Sequence, residues 1–318
     1  MRQHIQRATC ASVALAIALT LSASRAGATT SDDCNRNGIL DRDEIARREP
    51  ITSTSQPISN IDRMELIDVD GDGDRDLAAF YNFSGGALTI WRNDGSGTFA
   101  RGPVVSLPFS FSSSQQFADL TSDQRPDLLQ IASTFSSGTG STTRLQVFRN
   151  DGSGTFVAGE IQASPVHSSQ LAIGDVDGDG DLDAAIGGST SLQGDYGIVI
   201  AHNDGNGAFT FGDVMPTDEP IGSSVLGDVD NDGLVDLVAL AGDFGDSAVL
   251  VFAGTADGGF AEPDRIPSDG RLFQLSLANL DGDGYLDAFV GDGYLRNVGS
   301  PNPSPFRPLP NELDAGTA

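Results

Sequence analysis

Basic residues are scarce: 18 Lys and Arg stand against 45 Asp and Glu, for a formal net charge of −27 and a pI of about 4.1. A surface of that sign repels phosphate backbones, which excludes nucleic acid as a partner. Cysteine and histidine are nearly missing, at 2 and 3 residues in 318. So few leave no material for a Cys/His zinc site or a His-centred catalytic apparatus. No unit shows a helical pattern longer than about one turn, and no run of about 20 apolar residues spans a membrane. One Trp and four Tyr leave little for the aromatic platforms of a lectin. At 38% apolar residues with 39 Gly, the chain is nevertheless too apolar for a disordered acidic tail and is dense in turns. The negative charge is what needs a physical reason.

Residues 1–28 carry Arg2 and Arg7, an apolar stretch from Ala11 to Leu21 and the small-residue sequence Ala26-Gly27-Ala28, which read as a secretory signal peptide. Cleavage removes three Arg and no acid, taking the charge from −27 to −30, and leaves Cys34 as the one thiol, unable to form an internal disulfide. The expectation is a secreted (extracellular or periplasmic) monomer without a membrane span. Within residues 29–47, Asp33, Asn35 and Asn37 occupy positions 1, 3 and 5 of a loop with Gly38 at 6, the Ile39 carbonyl at 7 and Glu44 at 12. That order fits a calcium loop entering a short helix, and it resembles a single EF-hand or one half of a dockerin module. Residues 311–318 read as a flexible tail.

Between these ends the sequence repeats. Five nine-residue acidic segments begin at Asp68, Asp119, Asp175, Asp228 and Asn279, spaced by 51, 56, 53 and 51 residues, a regularity that marks an array. A second element recurs in four units, at 91–99, 148–156, 201–209 and, more loosely, 252–260. Its Asn-Asp-Gly core, present in the first three, tolerates positive φ and signals a tight hairpin. Short apolar or alternating runs such as Met64–Ile67, Leu77–Tyr81, Ala87–Trp91 and the stretch from Phe99 through Val105 give four strands per unit. An all-β array of about five four-stranded blades over residues 48–310 follows, and radial closure into a β-propeller buries both faces of each sheet. Either residues 49–59 or Pro305 to Pro310 can supply the last fourth strand.

The acidic segments have the spacing of a hard-cation loop. Calcium wants six to eight oxygens at about 2.3–2.6 Å, supplied by side chains at positions 1, 3 and 5 and a backbone carbonyl at 7. The four full loops offer Asp68, Asp70, Asp72 and the Asp74 carbonyl; Asp175, Asp177, Asp179 and the Asp181 carbonyl; Asp228, Asp230, Asp232 and the Leu234 carbonyl; and Asn279, Asp281, Asp283 and the Tyr285 carbonyl. Position 9 adds Asp76, Asp183, Asp236 and Asp287, and Gly73, Gly180, Gly233 and Gly284 allow the turn at position 6. Without a cation, so many carboxylates in one turn repel. The second loop is eroded: Asp119, Asp123 and Asp127 remain, but Thr121, Gln124 and Pro126 break the pattern.

The five-fold recurrence resembles the FG-GAP or VCBS repeats, the calcium-bearing blades also found in the integrin alpha-chain propeller. The resemblance covers roughly residues 48–300 and implies a β-propeller with calcium, held by the aspartates above, in a loop joining two strands of each blade. Five units rather than seven, and the eroded second loop, depart from that pattern. His167 and His202 lie in different repeats, and His202 aligns with Arg92, Arg149 and Arg296, an ordinary repeated position. The reading is a noncatalytic binding or adhesion module, not an enzyme, for an extracellular protein or glycan. The alternative is a secreted carbohydrate-active or other hydrolytic enzyme using one propeller face.

Overall fold

The structure, a computed structural model, describes residues 61–308 apart from 82–85, 108–112, 137–139, 168–169, 191–194, 243–246, 269–273, 292 and 300–305. The signal segment 1–28, the loop from Asp33 to Glu44, residues 49–59 and the tail 311–318 lie outside the described residues.

The described residues form 21 strands and no helix. Sheet one comprises β1 (Arg63–Ile67), β2 (Asp76–Tyr81), β3 (Ala87–Asn93) and β4 (Phe99–Ser106). Sheet two comprises β5 (Ser113–Ala118), β6 (Asp127–Ser136), β7 (Gly140–Asn150) and β8 (Phe156–Ser164). Sheet three holds β9 (Ala172–Gly174), β10 (Asp183–Ser189), β11 (Tyr196–Asn203), β12 (Phe209–Phe211) and β13 (Met215–Thr217), the last two both pairing with β11 as a divided outer strand. Sheet four is β14 (Ile221–Gly227), β15 (Asp236–Ala241), β16 (Ser247–Phe252) and β17 (Asp264–Ser268). Sheet five is β18 (Leu275–Ala278), β19 (Asp287–Val290), β20 (Gly293–Asn297) and β21 (Phe306–Pro308). Every pairing is antiparallel and, apart from that of β13 with β11, joins chain neighbours, so each unit folds on local contacts. The fourth strand of sheet five comes from within the Pro305 to Pro310 stretch.

Consecutive sheets stack through apolar clusters. Val69, Phe80 and Ile90 of sheet one meet Leu128, Phe148 and Phe156 of sheet two. Leu129, Ile131 and Leu145 on the other face of sheet two meet Ile186, Val199 and Phe209 of sheet three. Further clusters join sheet three to four and sheet four to five. A strand covered on both faces reads as a continuous apolar run, which is why β15 and β16 are buried along their whole length. Each such Leu, Ile, Val or Phe contributes roughly 1.5–3 kcal/mol on burial. Among the described residues no such cluster joins sheet five back to sheet one.

Candidate metal centre

Each acidic segment is the loop between the first two strands of its sheet. The carboxylate at position 1 builds it: Asp68 accepts the N–H groups of Gly71 at 2.8 Å and Gly73 at 2.9 Å, and Asp175 those of Gly178 at 2.8 Å and Gly180 at 3.1 Å. Both donors sit at positive φ, +75° and +90° for Gly71 and Gly73. A Cβ there would meet nothing within 4 Å, so these glycines serve conformation rather than space. Asn231 takes the position-4 conformation at φ 60°, and in the eroded loop Ser122 and Gln124 still take both, at 54° and 66°. Erosion of the sequence has left the backbone path intact.

The acid at position 9 has a second task. Asp76 Oδ2 accepts the Val69 N–H at 3.0 Å and Oδ1 the Asn93 N–H at 2.7 Å, tying the loop to the hairpin turn beyond β3. The same pair of bonds recurs at Asp127, Asp183, Asp236 and Asp287, with Asn150, Asn203, Gly254 and Asn297 as the far donors. All five carboxylates are buried. Burial pushes the carboxyls of Asp76, Asp127, Asp183 and Asp236 above their ordinary value, with the donated N–H groups opposing it. Asp230 is raised by burial and by its neighbours Asp232 and Asp228.

Three loops bring carboxylates together. Asp68, Asp70 and Asp76 each offer an oxygen within 4.8 Å of the others, as do Asp175, Asp177 and Asp179, and Asp228, Asp230 and Asp236. A fourth group is Asp177, Asp183 and His202, whose Nδ1 lies 3.4 Å from Asp177 Oδ2 without forming a hydrogen bond. Asp70 Oδ1 is buried with no hydrogen-bond partner, which is costly for a carboxylate oxygen unless a cation meets it. These clusters can hold a metal ion, and the all-oxygen donor sets of the first three suit a hard one.

The remaining two loops carry their own cations. In the second, Thr121 donates to Asp127 Oδ2 at 3.0 Å and Arg125 lies 3.5 Å from Asp123. In the fifth, Arg296 donates to Asp281 Oδ2 from Nε at 2.6 Å and stands 3.7 Å from Asp283. Partial burial pushes the Asp281 carboxyl up, but the Asp283 N–H and the guanidinium outweigh it and hold it below its ordinary value. The position-7 side chains have a role invisible in the spacing. Asp74, Arg125, Asp181 and Tyr285 lie over Gly95, Gly152, Gly205 and Gly299 of the hairpin, where a Cβ would come within 2.3–2.7 Å of them.

Sequence reasoning placed His202 as an ordinary repeat position and missed its approach to Asp177 and Asp183. Only its departure from the Arg at Arg92, Arg149 and Arg296 signalled this. It also missed the turn Asn: Asn150, Asn203 and Asn297 donate from Nδ2 to the Val69, Leu120 and Val229 carbonyls of the preceding unit, at 2.6, 2.9 and 2.5 Å.

A model of the FG-GAP-like repeat matches residues 68–130, 131–186 and 228–290, more than half of the chain. No curated protein matches. Three solved structures similar to this chain are a rhamnogalacturonan lyase of Bacillus licheniformis (13% identity, TM-score 0.40, covering 74% of this chain and 60% of that one), an exotype rhamnogalacturonan lyase (12%, 0.41, 74% and 58%) and an endo-arabinase from Bacteroides thetaiotaomicron (12%, 0.44, 79% and 92%). The chain thus spans about three fifths of the length of the two lyases. All three are named as enzymes, which corrects the expectation that this chain is not one. That expectation rested on the shortage of His, and carboxylates and bound metal ions can supply acid, base and electrophile without it.

Proposed function

This chain belongs to the FG-GAP-like repeat family, and on that premise we propose that it is an exported, calcium-loaded repeat protein whose five sheets are the blades of a propeller-type array. The observation that carries the calcium reading is Asp70 Oδ1, buried and unpartnered among Asp68 and Asp76, in a loop geometry repeated at Asp175–Asp179 and Asp228–Asp236. Calcium there would be held by Asp68, Asp70, Asp72 and Asp76 and by their counterparts Asp175, Asp177, Asp179 and Asp183, and Asp228, Asp230, Asp232 and Asp236, with the carbonyls at position 7. It neutralises charge and braces the loop between two strands, a stabilising rather than a switching role. Calorimetric titration of calcium into chelated protein tests this. Three stronger binding equivalents from the first, third and fourth loops and a weaker one from the fifth are expected, and the absence of calcium binding would end the proposal.

A second reading, action on a polysaccharide, is favoured by the third loop, where His202 and the carboxylates of Asp177 and Asp183 converge. An imidazole beside this acid cluster can move a proton at Nδ1, and a cation held by Asp177 and Asp183 would supply a Lewis acid. Rhamnogalacturonan and arabinan are the substrates to try, with calcium and with EDTA. Chain cleavage that His202→Asn abolishes supports this reading, and inertness toward both polymers counts against it.

A further inference from the structure

Among the described residues, one of the four groups that can hold an ion is not all oxygen. Asp177, Asp183 and His202 each offer a donor atom within 4.8 Å of the others. His202 Nδ1 lies 3.4 Å from Asp177 Oδ2 and 3.8 Å from Asp183 Oδ2. A hydrogen bond would bring it to about 2.7–3.2 Å, so neither contact is one. The Nδ1 atom is nonetheless shut off from solvent and has no hydrogen-bond partner. A buried ring nitrogen left unpartnered is costly, and this one faces two carboxylates, of which Asp183 is only 1% exposed.

The spacing is that of ligands around one ion. Two donors about 2.1 Å from a common ion stand about 3.0–3.9 Å apart over angles of about 90–135°. The rest of the repeat shows that the arrangement belongs to this unit. Arg92 and Arg149 fill the same column and reach forward to the Ser153 and Asn206 carbonyls of the next turn. Ala253 fills it in the fourth unit with no donor to offer, and Arg296 turns onto Asp281 and Asp283 of its own loop. A guanidinium has no lone pair for a cation, whereas an imidazole nitrogen does.

Donor type decides which ion such a loop prefers. Calcium takes oxygen, whereas imidazole suits zinc and its first-row neighbours, for which carboxylates can complete the set. We propose that the third loop is a mixed-donor site in which His202 Nδ1, Asp177 and Asp183 hold a divalent transition ion of the zinc or cobalt kind. The first and fourth loops, whose donors are all oxygen, keep to calcium. The proposal rests on the calcium reading only in taking the loop acids as cation ligands. Asp177 and Asp183 belong to both donor sets, so zinc and calcium compete for this loop. Three protein donors leave a tetrahedral ion one position for water or a substrate oxygen.

Calorimetric titration of zinc into the chelated chain, repeated in calcium buffer, tests this. One equivalent of zinc should bind in both, and in calcium buffer it should displace one equivalent of calcium. His202→Asn, at a half-buried position that makes no hydrogen bond from Nδ1, should leave calcium affinity unchanged. It should weaken the zinc equivalent by at least about tenfold, the loss that even an outer-shell partner causes. Asp177→Asn, which lies in both sets, should weaken zinc and one calcium equivalent together. Cobalt supplies a second readout, a ligand-field absorption band that His202→Asn should shift or remove. Zinc that binds wild type and His202→Asn alike overturns the proposal, as does a wild-type chain that takes up none. If calcium still fills its loops in that case, the calcium reading stands; calcium binding lost with zinc still held at His202 ends the calcium reading alone.

Discussion

Asp76 Oδ1 accepts the backbone N–H of Asn93 at 2.7 Å, so the last acid of the loop also fixes the start of the hairpin turn 17 residues away. The repetition of this bond in all five sheets gives the position-9 acid a task its neighbours in the loop lack: besides any part in holding a cation, it ties the blade together. That extra task is open to mutation. Asp183→Asn replaces an oxygen that accepts the Val176 N–H with an amide that cannot serve both donors, leaving a buried N–H unsatisfied. It should cost about 1–3 kcal/mol of stability even in EDTA. Asp179→Asn, on the exposed part of the same loop, should leave the stability in EDTA nearly unchanged while weakening calcium binding. Denaturant titrations of both variants with and without calcium check the contrast.

The fifth loop should bind calcium more weakly than the first, third and fourth, because Arg296 already neutralises Asp281 and must give way. Arg296 is 46% exposed, so its ion pair is worth at most about 1 kcal/mol. Arg296→Gln should therefore tighten that one site by no more than about fivefold. Site-resolved titration by NMR of the Asp281 and Asp283 amides measures it, and a weakened site would show that Arg296 supports the loop rather than competing for it.

Acid should act with opposite sign on the metal-free and the loaded protein. Asp76, Asp127, Asp183 and Asp236 have carboxyls raised by burial above the ordinary 3.8. Between that value and the raised one the folded state binds more protons than the unfolded chain, so metal-free stability increases as pH falls through this window. Asp94, Asp151 and Asp204 in the hairpins are held below 3.8, chiefly by Ser96, Ser153 and Asn206 respectively, and their contribution is lost only below it. The calcium-loaded protein loses stability over the upper window, because protonation releases the metal. Thermal melts from pH 7 down to 4 in EDTA and in calcium should therefore converge.

Much of this architecture was legible because it is local. The four strands of sheet one fall within two residues of the ranges read from apolar patterning, and Asn-Asp-Gly marked the hairpins at Asn93, Asn150 and Asn203. The position-9 latch was hidden, because an Asp that accepts two distant N–H groups has the same letter and spacing as a calcium ligand. The bonds from Asn150 to Val69 and from Asn203 to Leu120 join residues 81 and 83 positions apart, beyond any periodicity argument. His202 was read as a member of its repeat column, whereas in the fold a shorter side chain at that position turns toward Asp177 instead of the next unit's turn, which Arg92 and Arg149 reach.

On the proposed function, the acidic loops hold calcium that stabilises the stacked sheets. At dissociation constants of about 0.1–1 mM, usual for extracellular modules, each filled loop adds roughly 0.4–1.4 kcal/mol at about 1 mM calcium. The first, third and fourth loops together contribute about 1–4 kcal/mol, enough to move Tm by several degrees in a domain of this size. The measurement is a thermal melt of chelated protein before and after calcium is returned, with magnesium as the comparison ion. The account predicts a lowered Tm in EDTA that calcium restores and magnesium, with its small octahedral shell, does not. An unchanged melting curve, with metal analysis confirming that the chelated protein is empty, would contradict it and reduce the acidic loops to solvated turns.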